Sequence, residues 1–173
     1  MARAGIALGS NLGDRLAHLR AACAGLRASA SPGEPVLLAA IYQTEPRLCP
    51  AGSPDFLNTV IEIGFAGTPL ELLLVTRALE AKLGRIRGSG PNAPRVIDLD
   101  LLYLDDAQCQ TDALLLPHPR LSQRRFVLQP LAEIRPDLVL PGQALTVAEL
   151  LAALPATEPQ LARTSATWLP RAP

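Results

Sequence analysis

An α+β fold, an antiparallel sheet with helices packed on one face, is predicted by three observations in the 173-residue sequence. Two segments, "DFLNTVIEIGF" (55–65) and "VIDLDLLY" (96–103), alternate side chains as half-buried strands do. Two others carry apolar residues at helical spacing, one of them framed by capping residues at its start. Gly/Pro-rich stretches separate them.

Taken in order, "AGIALG" (4–9) reads as a short buried strand ending at glycine. "NLGDRLAHLRAACAGLRA" (11–28) places Leu12, Leu16, Leu19, Cys23 and Leu26 on one helical face, with Asn11 as the expected N-cap. "SPGEP" ends that helix, and "VLLAAIYQTE" (36–45) reads as a second strand. "PRLCPAGSP" (46–54), rich in proline, is an irregular loop. In the strand 55–65, Leu57, Ile61 and Ile63 face one way and Phe56, Asn58 and Val60 the other. Thr68, Pro69 and Glu71 form a capping box with proline at the first helical position, and Gly84 is a stop, so a helix is expected over 69–83. "IRGSGPNAP" (86–94) is a second loop.

In "APRVIDLDLLYLDD" (93–106), Ile97, Leu99, Leu101 and Tyr103 form one apolar strand face and Asp98 and Asp100 share the other. A short helix is expected over 123–134, and Thr146 with Glu149 caps another over 146–154. The segment 155–173, with its lone Trp168, has no assignment. The order β-α-β-β-α-β followed by C-terminal elements is the ferredoxin-like pattern, with one sheet face on the helices and the other left for a ligand. The length favours one domain spanning 1–173.

Composition narrows the function. Formal net charge is zero, so no broad polyanion-binding surface of the nucleic-acid-binding kind is expected. Lys82 is the only lysine; the other basic residues are arginines, whose planar fork suits bidentate phosphate or carboxylate recognition. Cys23, Cys49 and Cys109 have neither metal-ligand spacing nor a paired framework, which points to a reducing compartment. There is no leader-like apolar segment at the start and no run of membrane-spanning length. A cytoplasmic protein without a membrane or nucleic-acid partner is expected.

Asp98 and Asp100 lie roughly 7 Å apart at their roots on one strand face. Two such carboxylates repel unless something positive sits between them. Mg²⁺ suits this role, since it takes a few carboxylates together with substrate phosphates. An isolated Asp-x-Asp more often faces water. Here Arg95 precedes the pair, Arg85 and Arg87 leave the capped helix, and Arg120, Arg124 and Arg125 follow His118. The sequence has no Walker loop and no dinucleotide fingerprint. These residues point to a magnesium–nucleotide enzyme on another scaffold.

The ordered segments "IALGSNLGDR", "YQTEP", "DFLNTV", "ALEAKLGRIR", "PRVIDLDLLY" and "LPHPRLSQRRFVLQPLAEI" resemble the 6-hydroxymethyl-7,8-dihydropterin pyrophosphokinase family over residues 4–138. The resemblance implies a ferredoxin-like fold and transfer of the β,γ-diphosphate of ATP to the pterin's hydroxymethyl group, with release of AMP, in folate biosynthesis. It implies that Asp98 and Asp100 bind two Mg²⁺ ions, with Asp98 near the attacking hydroxyl. Arg85 and Arg95 match the catalytic arginines. Arg87, His118 and Arg124 match residues that meet ATP, with Glu80 in support. Phe56 and Phe126 match the residues that sandwich the pterin, Asn58 and Thr44 those that read its polar edge, and Gly9 lies beside them. A monomer acting on these small molecules is implied.

The chain departs from the family at "NAPR" (92–95), where Asn92 and Ala93 stand for a tryptophan and a glycine of a closing loop. The loop around Leu48 and Cys49 also differs. Two other readings compete. One is a different phosphoryl or nucleotidyl transferase on the same scaffold. The other is a catalytically weakened pterin- or nucleotide-binding paralogue.

Overall fold

The computed structural model describes residues 1–46, 49–86 and 93–168. In chain order the elements are β1 (Ala2–Ser10), α1 (Arg15–Ser29), β2 (Leu37–Leu38), β3 (Tyr42–Thr44), β4 (Phe56–Phe65), α2 (Pro69–Lys82) and β5 (Asp98–Leu104). A small hairpin follows, β6 (Cys109–Gln110) with β7 (Leu115–Leu116), then α3 (Arg125–Ile134), α4 (Val147–Ala152) and β8 (Ala162–Arg163). The main sheet runs β5-β1-β4-β3-β8, with β2 also paired to β4, and every pairing is antiparallel. The β-α-β-β-α-β order expected from the sequence is present, with β2 and β3 together in the place of its second strand.

α1 and α2 cover one face. Ile6, Leu8, Leu19, Leu26, Ile61, Ile63, Leu72, Ile97 and Leu99 form its core. The capping box at Thr68 and Glu71 opens α2 as expected. α1 starts later than predicted: Asp14, not Asn11, is its N-cap, its Oδ1 accepting from Ala17 N at 3.0 Å. Asn11 is held elsewhere. It exchanges backbone and side-chain hydrogen bonds with the backbone of Arg95, described below.

The second face is only half open. α3 and α4 pack over Val60, Leu102 and Tyr103 through Val127, Leu128, Leu131, Val147 and Leu150. The C-terminal elements thus cover half of the face that the sequence reading left wholly to a ligand. Glu133 of α3 ties this layer down, accepting from Ala40 N at 2.7 Å and from Tyr42 Oη at 2.6 Å.

Two strand readings are corrected. The expected strand 36–45 is two short strands, β2 and β3. Between them Ala40 N–H goes to Glu133, and the carbonyls of Ala39 and Ile41 accept from Trp168 and Thr164, so other elements take the backbone groups that would continue a regular strand. Tyr103 does not share a face with Leu101. Gly5 opposes Tyr103 while Ile6 opposes Leu101, so Leu102 is the extra residue of a bulge. Tyr103 therefore turns to the second core, and Leu104 returns to the first. Gly5 makes room for it: a Cβ there would lie 2.2 Å from the Tyr103 ring.

Candidate active site

The uncovered half of the second face forms a cleft of about 570 Å³, within the range of small-molecule sites. Its floor is the ends of four neighbouring strands. β5 brings Asp98 and Asp100, β1 brings Gly9, β4 brings Phe56 and Asn58, and β3 brings Thr44. The start of α3 adds Arg124 and Phe126 from above, and Arg95 enters from the loop before β5. Residues separated by more than a hundred positions in the chain therefore share one concavity.

Asp98 is the hub of the acidic end. Arg95 Nη1 donates to its Oδ2 at 2.6 Å, and Arg85 Nη1 donates to its Oδ1. Arg85 also bonds Glu80, whose Oε1 accepts from Leu99 N at 2.8 Å. Glu80, at the C-terminal end of α2, is 2% exposed. It locks helix to strand and fixes Arg85 against Asp98. Arg85 and Glu80 thus stand behind the cleft, in contact with its acidic end, rather than lining it. Burial opposes the Arg85 charge, but the Asp98 and Glu80 carboxylates outweigh this and raise its pKa.

Asp100, one residue beyond on the same face, has its carboxyl pushed up to about 6, by burial first and then by the Asp98 charge. Arg124 and Arg85 act in the opposite direction. This pair is a natural place for a divalent cation. Both groups are hard oxygen donors, and their mutual repulsion is what such an ion removes. Among the described residues no third His, Cys, Asp or Glu completes a cluster, so further ligands would come from water or substrate phosphates, as Mg²⁺ prefers.

Asn11 supplies a part of the site that the sequence reading missed, and Ser10 acts beside it. Asn11 Oδ1 accepts from Arg95 N at 2.7 Å, and Asn11 N donates to Arg95 O at 3.1 Å. Asn11 Nδ2 reaches Pro54 O at 3.2 Å, and Ser10 Oγ donates to Val96 O. Both residues are fully buried. The end of β1 thereby clamps the segment that carries Arg95. Asn11's N-terminal-cap residue type masked this role in the sequence.

The other end of the cleft is aromatic and amide-like. Asn58 Nδ2 donates to Thr44 Oγ1 at 2.7 Å. Gly9, its partner in the β1–β4 ladder, carries no side chain because a Cβ would lie 2.7 Å from Asn58 Oδ1. Phe56 and Phe126 line this end, and the Arg124 guanidinium sits 5.4 Å from the Phe126 ring centroid. Burial and the neighbouring Arg120 lower the Arg124 pKa. Arg120, Gln123 and Arg125 also line the cleft; the first and last were visible in the sequence only as a basic cluster.

His118 does not line the cleft. Its backbone N donates to Leu102 O at 2.8 Å, and its Nδ1 accepts from Arg120 N at 3.1 Å. Burial, then Arg124 and Arg120, pull its pKa down to about 4, against a weaker opposing pull from Asp98. It is therefore neutral near pH 7, with Nε2–H as its donor. As pH falls below about 6.5, the unfolded chain takes up a proton that the folded one refuses until about pH 4. Stability from this site is thus complete above pH 6.5 and lost progressively down to pH 4. We expect His118→Asn, which retains an acceptor for Arg120 N, to lose less stability than the parent between pH 7 and 4.5 in urea unfolding. A parent–variant difference independent of pH would refute this. Arg87 and Asn92, and Leu48 of the other unusual loop, lie outside the described residues.

An antiparallel sheet with an acid pair flanked by arginines at one end of a cleft, and an aromatic and amide pocket at the other, defines a class. It is that of enzymes that handle phosphate groups beside a flat polar ring, on a ferredoxin-like scaffold. Residues 5–136 match the family model described as 7,8-dihydro-6-hydroxymethylpterin-pyrophosphokinase (HPPK), and the chain belongs to that family. It is 45% identical over 158 residues to the 2-amino-4-hydroxy-6-hydroxymethyldihydropteridine pyrophosphokinase of Methylorubrum extorquens, covering 89% of this chain and 94% of that relative. The enzyme of the same name from Bacillus subtilis is 43% identical over 132 residues, 75% of each chain. The fold is similar to that of Plasmodium falciparum HPPK-DHPS, with a TM-score of 0.67 at 12% identity, over 87% of this chain and 44% of that one. No helix among the described residues is long and apolar enough to cross a membrane.

Proposed function

We propose that this pyrophosphokinase moves the β,γ-diphosphate of ATP to the hydroxymethyl group of 6-hydroxymethyl-7,8-dihydropterin, releasing AMP, with the two ends of the cleft holding the two substrates. The observation that carries the assignment of ends is the cleft's polarity. The β5 carboxylates, with Arg85 and Arg95 bonded to Asp98, stand at one end, while Phe56 and Asn58 of β4, Thr44 of β3 and Phe126 of α3 stand at the other. A triphosphate suits the first and a flat heterocycle with a polar edge suits the second.

At the phosphate end, Asp98 and Asp100 would hold two Mg²⁺ ions. When bound, these neutralise phosphate charge and acidify the attacking hydroxyl. Arg85 and Arg95 already converge on Asp98. When phosphates arrive, both guanidiniums can turn from carboxylate to phosphate oxygens and stabilise the charge that develops on the leaving AMP. The Asn11 clamp on Arg95 keeps this reorientation small. Arg124 and Arg87 meet the nucleotide, Glu80 fixes Arg85 from behind, and neutral His118, off the lining, holds the backbone of Arg120 beside them.

At the heterocycle end, Phe56 and Phe126 sandwich the ring, while Asn58 and Thr44 read its amide edge. Gly9 leaves the floor between them clear. No strongly basic side chain is needed as a proton acceptor: in-line positioning and charge neutralisation supply the rate.

The test is product analysis. The chain is incubated with ATP, Mg²⁺ and 6-hydroxymethyl-7,8-dihydropterin, and products are identified by mass. Pterin diphosphate with equimolar AMP is expected. ADP with a monophosphorylated pterin would overturn the reaction class. Binding of both substrates without turnover would favour the weakened-paralogue reading, for which the comparisons offer no support.

A further inference from the structure

The C-terminal segment that the sequence left unassigned forms a wall of the cleft. Residues 158–162 line it beside Gln43, Thr44 and Phe56. Beyond them the chain becomes the edge strand β8, Ala162 opposite Gln43 and Arg163 opposite Tyr42. Thr164 then donates twice to Ile41 O, from N at 2.9 Å and from Oγ1 at 3.1 Å. Trp168 ends the path. Its Nε1 donates to Ala39 O at 2.8 Å, and its ring packs against the core under α1. Arg20 of α1 grips Thr167 O through Nε at 3.2 Å and Nη2 at 2.7 Å. The family match ends at residue 136, so this wall lies outside the part of the chain it covers.

Position in the sheet says which substrate the wall meets. From β5 to β8 there are four inter-strand steps, roughly 19 Å at about 4.8 Å each. The wall is therefore on the opposite edge from Asp98 and Asp100 and next to Thr44, Asn58 and Phe56. We propose that residues 158–162 are a substrate wall for the heterocycle end of the cleft, and that Trp168 is a positioning residue that holds this wall in place. This rests on the pyrophosphokinase reading for the identity of the heterocycle. Trp168 touches no substrate; it acts by anchoring the strand that follows the wall. A tryptophan does this well here because one residue supplies both a large apolar face for the core and a donor for a strand carbonyl.

The experiment uses the full chain with Trp168→Ala, Trp168→Phe and Thr164→Pro. The last removes both hydrogen bonds to Ile41 and touches neither the core nor the cleft. Three quantities are read: hydrogen exchange of residues 160–164, steady-state constants for each substrate, and pterin binding in the presence of a non-hydrolysable ATP analogue. With Trp168→Ala and Thr164→Pro, exchange of the strap should accelerate and KM for the pterin should rise about tenfold, with kcat and KM for ATP within about twofold. Trp168→Phe should restore most of the pterin KM, since it keeps the packing. Faster exchange with an unchanged pterin KM overturns the wall; unchanged exchange in Trp168→Ala overturns the anchor. Should Trp168→Ala fail to fold, Thr164→Pro decides the wall and Trp168→Phe the anchor. A parent chain that binds both ligands but forms no AMP would overturn the reaction, and the strap would still be judged on pterin binding.

Discussion

Asp98→Ala and Asp100→Ala, made separately, are expected to lower kcat/KM by roughly 10³-fold or more, in line with the loss of a group that stabilises transition-state charge. The two should differ in stability. Asp98 neutralises Arg85 and Arg95, so Asp98→Ala leaves two partly buried guanidiniums without their shared carboxylate and should lower Tm. Asp100 is a carboxylate placed beside another in a half-buried position, an arrangement that favours cation binding over fold stability. Asp100→Asn should therefore abolish turnover while leaving the ligand-free Tm unchanged or higher. AMP formation by mass spectrometry and Tm by calorimetry check both parts. Normal turnover in either variant would remove the acidic pair from the mechanism. A large fall in Tm for Asp100→Asn would show that Asp100 is structural.

Glu62→Ala is expected to destabilise the fold by roughly 3 kcal/mol, or about 6–12 °C in Tm for a chain of this size. Glu62 is completely buried on β4, three strand positions past Thr59. Arg3 Nε donates to its Oε1 at 2.9 Å, Arg135 Nη1 donates to both oxygens at 2.9 Å, and Tyr103 Oη donates to Oε2. Burial and this carboxylate push the Tyr103 phenol far above its ordinary pKa, so it stays a donor. Removing Glu62 strands the Arg135 guanidinium and the Tyr103 phenol around a cavity and leaves Arg3 with only Glu34 and the Pro35 carbonyl. The cost is kept below that of a wholly buried pair because Arg3 and Arg135 retain 17% and 34% side-chain exposure. Unfolding by urea checks the magnitude, and a loss under about 1 kcal/mol would mean that water replaces Glu62 as their partner. The cluster joins β1, β4, β5 and the end of α3, which carries Phe126 and Arg124 over the cleft.

Much of the fold was legible because it depends on local periodicity. The alternation in 55–65 and the Thr68–Glu71 box each require only neighbouring residues, and β4 and α2 appear where they predict. The bulge at Leu102 was not legible. A period-2 pattern carries Tyr103 onto the face of Leu101, and only the glycine at position 5 on a neighbouring strand admits the ring on the other side. The break between β2 and β3 likewise has its cause in Glu133, Thr164 and Trp168, all more than ninety positions away.

For the site, the sequence by itself determined the chemistry on offer. The acid pair shares a face because strand side chains alternate, and Phe56 and Asn58 share one for the same reason. Motif spacing sufficed to bring Arg85, Arg95, Asp98, Asp100 and Asn58 to notice, and the family resemblance added Phe126. Only the tertiary structure decided what each of them does with its neighbours. It put Glu80 and Arg85 behind the cleft in contact with Asp98, moved His118 off the lining, gave Asn11 to the backbone of Arg95, and laid the unassigned C-terminal segment along the sheet edge as a wall. These outcomes depend on contacts between distant segments. Such contacts are set by which hydrogen-bonding groups and apolar surfaces remain unpaired once the local elements have formed, and no local pattern encodes that remainder.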